Sequence, residues 1–226
     1  MSFLKLIYAL CLVLNLSLFS DQVEKVFSKI YRNKLWGVNE FNEGGSGSGS
    51  TRNGAKEYID CINEFIAQNN ITSILDIGCG DGVVLGMLDL NENMTYTGLD
   101  VVKSVILKNK EKYPKYNFYH SNAILDDIPI ADLILCKDVL QHLTNEQVKK
   151  ITNKIKKNCK YAIITNDVEH TLVKMKNFTN IDIAVGEGRF LRLQDSPFNL
   201  QGEDLLEYTC PTGEVKTMFL LKGDIQ

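Results

Sequence analysis

The chain has 226 residues, 44% hydrophobic and 23% charged, enough for one α/β domain with a full core plus extensions. Its net charge is −3 with no basic block, which speaks against a nucleic-acid partner. The six cysteines include no Cys-x-x-Cys pair and histidine is scarce, so no metal site is expected, and the five scattered cysteines beyond Cys11 suit reduced thiols better than a disulfide framework.

Leu6 to Phe19 is almost wholly apolar, preceded by Lys5 and followed by Ser20-Asp21. Residues 1–20 read either as a signal peptide or as an uncleaved anchor, since the run is short for a membrane span. Lys25, Lys29, Arg32 and Lys34 follow it, a positive-inside bias that would keep an anchored domain in the cytoplasm. From Asp21 to Lys34, Val23, Val26, Phe27 and Ile30 recur at helical spacing, which predicts an amphipathic helix ending at Trp36-Gly37. Gly44 to Ser50 is a Gly/Ser alternation, either a flexible linker or a loop folding over a ligand with Arg52 as a carboxylate clamp. Residues 21–53 are therefore set apart as a helical cap and loop, and 54–226 as the main domain.

A second amphipathic helix is predicted over Gly54 to Asn69. Short apolar runs then alternate with helical patterns. Strands are expected at 73–78, 95–100, 116–120, 131–136 and 160–165, and helices at about 82–88, 103–113 and 145–158. Asp204 to Thr209 and Val215 to Lys222 flank Pro211-Thr-Gly213, predicting a hairpin that adds an antiparallel edge to an otherwise parallel sheet.

The chemistry concentrates at Ile74-Leu-Asp-Ile-Gly-Cys-Gly-Asp-Gly82. A strand ends in three glycines, each two residues from the next. Gly78, Gly80 and Gly82 remove side chains so that backbone can approach a nucleotide-like ligand. The dinucleotide fingerprint needs Gly-x-Gly-x-x-Gly, and position 83 is Val, so an NAD- or FAD-dependent oxidoreductase is disfavoured. Asp76 and Asp81 are acceptors near a cationic ligand, or Asp76 bonds the turn backbone. Asp100 ends the second strand, placed to accept ribose hydroxyls or to cap the next helix. Asn122 is a candidate partner for adenine or an ordinary turn residue. Lys137, Asp138 and His142 follow the buried strand from Ala131 and should face the cleft beyond the strand ends. Either Asp138 or His142 could act as a base toward a hydroxyl; alternatively Asp138 is a cap and His142 a half-buried helix residue.

Leu75-Asp-Ile-Gly-Cys-Gly-Asp-Gly82 resembles motif I of the class I, Rossmann-like, S-adenosylmethionine-dependent methyltransferases. The resemblance extends through motif order from Asn70 to Asn166. It implies a doubly wound, mostly parallel seven-stranded sheet with S-adenosyl-L-methionine as donor. Its donor contacts would be Asp76, Gly78, Cys79, Gly80, Asp81, Gly82, Asp100, Val101, Asn122, Ala123 and Lys137. A narrower resemblance covers Ile30-Tyr31…Trp36-Gly37, Ser46 to Ser50, Ile128 to Leu143, Asn180 to Ile183, Arg189 and Pro197-Phe-Asn-Leu200. It is to unassigned bacterial and viral methyltransferases found in glycan contexts. It implies a small-molecule or sugar-hydroxyl acceptor, with Arg52, Arg189 and Asn199 as acceptor contacts or, for the last two, loop packing. Here Lys137 stands where the family commonly has Arg, and Asn122 where it has Asp. A cytosolic donor fits a cytoplasmic or anchored chain better than an exported one. The fold would equally serve a noncatalytic donor-binding scaffold.

Overall fold

The computed structural model describes residues 22–38, 45–172 and 179–225. The apolar run at 6–19 lies outside them, and among the described residues no helix is long and apolar enough to cross a membrane.

Helix α1 spans 22–32 and α2 Lys56–Gln68. Strand β1 (Ser73–Ile77) leads through the glycine turn to β2 (Thr95–Asp100), α3 (Lys103–Lys112), β3 (Asn117–His120) and β4 (Ala131–Lys137). Helix α4 (Asn145–Lys157), β5 (Cys159–His170), β6 (Glu203–Thr209) and β7 (Glu214–Lys222) complete the chain. Together the strands form one seven-stranded sheet ordered β3-β2-β1-β4-β5-β7-β6. The first five strands pair in parallel, and β7 runs antiparallel between β5 and β6. The expected mixed sheet is therefore present, but the hairpin enters out of order, with β7 inside and β6 at the edge.

Both faces of the sheet are covered, so its central strands are apolar throughout rather than alternating with polar residues. On β4, Ile134 and Cys136 pack toward α1 and α4, while Leu133 and Leu135 pack toward Tyr58, Ile59, Ile62 and Ile66 of α2. The helix α4 begins at a capping box: Gln147 donates its amide to Thr144 Oγ1 at 3.3 Å, and Thr144 donates its own to Gln147 Oε1 at 3.0 Å. That reciprocal pair satisfies two amides that no helical carbonyl can reach.

The helix expected at 82–88 is reduced to a single 3₁₀ turn at Leu85–Met87. Gly82 adopts φ +71°, and a Cβ there would come within 2.9 Å of the Tyr113 ring. A Cβ on Gly86 would lie 2.6 Å from the Tyr113 hydroxyl, which also receives no room to move because it donates to Gly82 O at 2.8 Å. Two glycines and two valines in seven residues also disfavour a helix intrinsically.

The N-terminal helix is part of the core. Val23, Phe27 and Ile30 of α1 are buried against β1, β2 and α4. Glu24 meets His120 at 3.3 Å, and Tyr31 bonds Ser46 at 2.8 Å.

Candidate active site

A cleft with an empty volume of about 960 Å³ opens at the carboxyl ends of β1, β2 and β4. Ligands bind at such strand ends in open α/β sheets because helix starts and turn amides converge there. The first turn after β1 is held by Gly78 and Cys79, which donate to Leu99 O at 2.8 and 3.0 Å. Gly80 adopts φ +56° and comes so close to the Gly/Ser segment that a Cβ would lie 2.4 Å from Ser46 Oγ. Ser46 Oγ accepts from Asp81 N at 3.0 Å. The Gly/Ser segment is thus seated on the glycine turn, and Ser46 and Ser50 line the cleft.

Of the residues expected to touch a donor, Asp76, Gly78, Cys79, Gly80, Asp81, Asp100, Val101, Asn122, Ala123 and Lys137 line this cleft. Gly82 does not; its bare backbone makes room for Asn109 and Tyr113 of the α3 region. Asp100 accepts from Gly80 N at 3.1 Å and Val102 N at 2.8 Å, so it ties the turn to the start of α3. Burial raises its carboxyl to about 6, against the two amides that favour its charge. Asp76 bonds no turn amide; it accepts from the Tyr96 hydroxyl at 2.6 Å. Burial lifts it also to about 6, against the Tyr96 bond. Asn122 accepts from Ile124 N at 3.1 Å, while its buried Nδ2 has no partner within the protein. A buried donor without an acceptor costs about 1–3 kcal/mol.

The end of β4 differs. Asp138 sits at φ +57° and lines the cleft, but its carboxylate is enclosed. Lys137 Nζ bonds Oδ2, and Lys216 Nζ of β7 bonds Oδ1 at 2.8 Å. Lys216 also pairs with Asp167 of β5, which exchanges two bonds with Gln141 at 2.9 and 2.7 Å. Lys137 Nζ reaches Gly49 O at 2.9 Å and lies over the Tyr58 ring. Burial pushes the Asp138 carboxyl up, but the two ammoniums outweigh it and hold it well below the usual carboxylate range. Burial works against the Lys216 charge, yet Asp138 and Asp167 raise it above an ordinary lysine. Such a carboxylate is a weak proton acceptor. Nor is Asp138 a cap: the short turn Leu140–His142 has no side-chain cap bond.

His142, expected to face the cleft, is not among its lining residues. Its ring centroid lies 5.1 Å from that of Trp36, which lines the cleft. Nδ1 is 2.9 Å from Glu187 O. A carbonyl only accepts, so Nδ1 carries the hydrogen and Nε2 keeps its lone pair in the neutral ring. Burial lowers the imidazole below its ordinary value, against the Glu187 bond and the nearby carboxylates.

None of the three expected acceptor contacts lines the cleft. Arg52 is exposed. Arg189 is buried and spends its guanidinium on Asn145 Oδ1 at 2.6 Å, Leu143 O at 2.7 Å and Ile181 O, a loop-packing role. Asn199 is exposed in a left-handed turn whose amide bonds Asp195 O at 3.1 Å. Sequence reading missed Lys216 and Asp167, which come from strands whose pairing order it could not supply, and Glu187, which acts through its backbone. Tyr31 and Trp36 carried a signal in the Ile30-Tyr31…Trp36-Gly37 element, without a role.

Residues 75–161 match a family model described as a methyltransferase domain. Residues 75–161 are a methyltransferase domain. The chain is 29% identical over 141 residues to O-methyltransferase 2 of Dictyostelium discoideum, covering 57% of this chain and 42% of that protein. It thus spans about two-fifths of the length of this curated relative. Among solved structures, N-methyltransferase NodS from Bradyrhizobium japonicum WM9, in complex with S-adenosyl-l-homocysteine, superposes with a TM-score of 0.62. Identity is 10%, over 90% of this chain and 99% of that one. An S-adenosylmethionine-dependent methyltransferase from Clostridium acetobutylicum ATCC 824 gives 0.56 at 16% identity, over 74% and 92%. These structures share the fold of the methyltransferase domain.

Proposed function

We propose that this methyltransferase domain binds S-adenosyl-L-methionine and transfers its methyl group to a hydroxyl of a small molecule or sugar. The observation that carries the reading is one cleft in which the glycine turn, the Asp100 carboxylate and the orphaned Asn122 amide converge. Asp100 is the ribose acceptor, and Asn122 Nδ2 donates to a ring nitrogen of adenine. Asp76 and the backbone of Gly78 and Gly80 hold the methionine end. S-adenosyl-L-methionine, when bound, supplies a methyl on a positively charged sulfur, already activated for displacement.

His142 is the base in this reading. Glu187 O fixes the tautomer and the Trp36 ring fixes the orientation, leaving Nε2 to take the proton from the acceptor hydroxyl. Asp138 keeps the loop and strand ends in register through its two lysines rather than moving a proton. Most of the acceleration then comes from alignment of acceptor and methyl, which can supply about 7–11 kcal/mol.

Calorimetry with S-adenosylhomocysteine and with NAD tests the donor assignment. Binding of the first and not the second is the expected result; the reverse would make the domain an oxidoreductase. Donor binding without turnover on a panel of hydroxylated small molecules and sugars would leave a scaffold instead.

A further inference from the structure

Gly45 to Ser50 contains only glycine and serine, yet it is fastened at Ser46, Ser48 and Gly49. Ser46 Oγ meets the Tyr31 hydroxyl at 2.8 Å and accepts from Asp81 N at 3.0 Å. Ser48 Oγ donates to Glu214 Oε1 at 3.4 Å and accepts from Thr212 Oγ1 at 3.2 Å, which ties it to the β6–β7 hairpin. Gly49 O accepts from Lys137 Nζ at 2.9 Å. Gly49 is pressed so closely on the Asp138 cluster that a Cβ would lie 2.7 Å from Lys216 Cε and 3.1 Å from Asp138 Oδ2. The segment therefore crosses as a strap from the glycine turn after β1 to the ends of β4 and β7. Its composition also sets how firmly it is held. With no apolar side chain to bury, it draws little on the hydrophobic effect. Each of its hydrogen bonds shifts an opening equilibrium by roughly two- to tenfold. Gly47 adopts φ +97° with open space where a Cβ would stand, a bend that glycine takes without strain. The strap can thus lift while α1 and the sheet keep their core.

We propose that this strap is the gate through which the donor enters and leaves, with the Asp138 cluster as its latch, a role that rests on the donor binding proposed for this cleft. In that reading the methionine end lies along Asp76, Gly78 and Gly80. The strap stands over the same ground, with Ser46 against Gly80 and Gly49 against the end of β4. The latch gives the enclosed lysines a task other than proton transfer. Lys137 bridges the Asp138 carboxylate and the Gly49 carbonyl, and Lys216 holds the other carboxylate oxygen, so the buried charges terminate on the strap. A chain that is mostly latched admits its donor only in the fraction of time that the strap is lifted, and releases it just as reluctantly.

Trp36 is the one tryptophan of the chain. It lines the cleft, and its ring centroid lies 5.7 Å from that of Tyr31, the partner of Ser46, so its fluorescence reports on the site. Stopped-flow mixing of the full chain with S-adenosylhomocysteine gives association and dissociation rates, and calorimetry gives the affinity. G49A forces the strap off its seat and should raise both rates about tenfold or more, with the affinity changed by less than either rate. S46A adds no atoms and leaves Gly49 seated; it should raise both rates by roughly two- to tenfold. If G49A fails to fold, S46A decides alone. Calorimetric binding with both rates at wild-type values overturns the gate and leaves the donor reading intact. Weaker binding without faster association also overturns it, since the strap would then be a wall of the site and not its entrance. Absence of S-adenosylhomocysteine binding by the wild-type chain overturns the donor reading, and the gate with it.

Discussion

Around the ends of β1 and β2 the polar groups of the cleft retain unused bonding capacity, while at the end of β4 every charge is already answered. Asn122 Nδ2 is buried without a partner, and Asp76 and Asp100 sit in ground that disfavours their charge. Asp138, which lines the same cleft, is clasped by two lysines. The contrast separates groups that the proposed function assigns to a ligand from groups consumed by the fold. Position at a strand end is common to both, and so is having two bonded partners at Asp100 and Asp138; what distinguishes them is that the partners of Asp138 are cations.

The largest effect that can break this contrast is at His142. H142A should cut turnover by about 10²–10⁴ while leaving S-adenosylhomocysteine affinity within a small factor, read by calorimetry beside steady-state kinetics. With His142 as the base, the wild-type rate should fall on acidification only below the ordinary histidine range, because burial lowers the imidazole and the proposed base is the neutral ring. A variant with unchanged turnover removes His142 as base and returns Asp138 to consideration.

K216M comes next. It leaves Asp138 and Asp167 with one buried cation fewer, and breaking such a pair destabilises by about 3–5 kcal/mol. Thermal or denaturant unfolding measures the loss. A near-neutral result would mean that the β4 end is less enclosed than its hydrogen bonds indicate.

D100N probes the other end. The amide still accepts a bond but lacks the charge, so donor affinity should drop about 10- to 100-fold. In the wild type, donor affinity should weaken as pH falls through about 6, where Asp100 takes up its proton. Titration of S-adenosylhomocysteine at several pH values checks both, and a flat profile in the wild type refutes the ribose assignment.

The fold was largely legible in the sequence, and the reasons are local. The apolar runs at Ile74, Leu99 and Ala131 to Cys136 have the length of buried strands, and Thr144 with Gln147 marks the start of α4. The segment after Gly82 misled because its glycines were read as a ligand turn opening a helix, while Tyr113 needed their space. The site was legible only in part. Asp100 and Asn122 follow directly from strand ends, but the fate of Asp138 depends on Lys216, 78 residues away and brought near by the inserted strand β7. Arg189 carries the signature of an anion clamp in any sequence, and only its carbonyl partners reveal it as packing.

D76N gives the smallest effect and the finest test of the contrast. The Asp76 carboxyl is raised to about 6, above its unfolded value, so the stability it contributes is fully present below about pH 4 and is lost as pH rises through about 6. At pH 8 the buried charge therefore opposes folding. Asparagine keeps an oxygen for the Tyr96 hydroxyl and carries no charge, so D76N should be more stable than wild type by about 1–2 kcal/mol at pH 8, with the gain shrinking toward pH 5. Asp138 is held low and loses its stabilising role only as pH falls below the ordinary carboxylate range, so it does not blur this window. If Asp76 serves the positive end of the donor, the same variant should bind S-adenosylhomocysteine more weakly. Gain of stability with loss of affinity marks a group kept charged for a ligand; loss of both would place Asp76 with Asp138, as part of the framework.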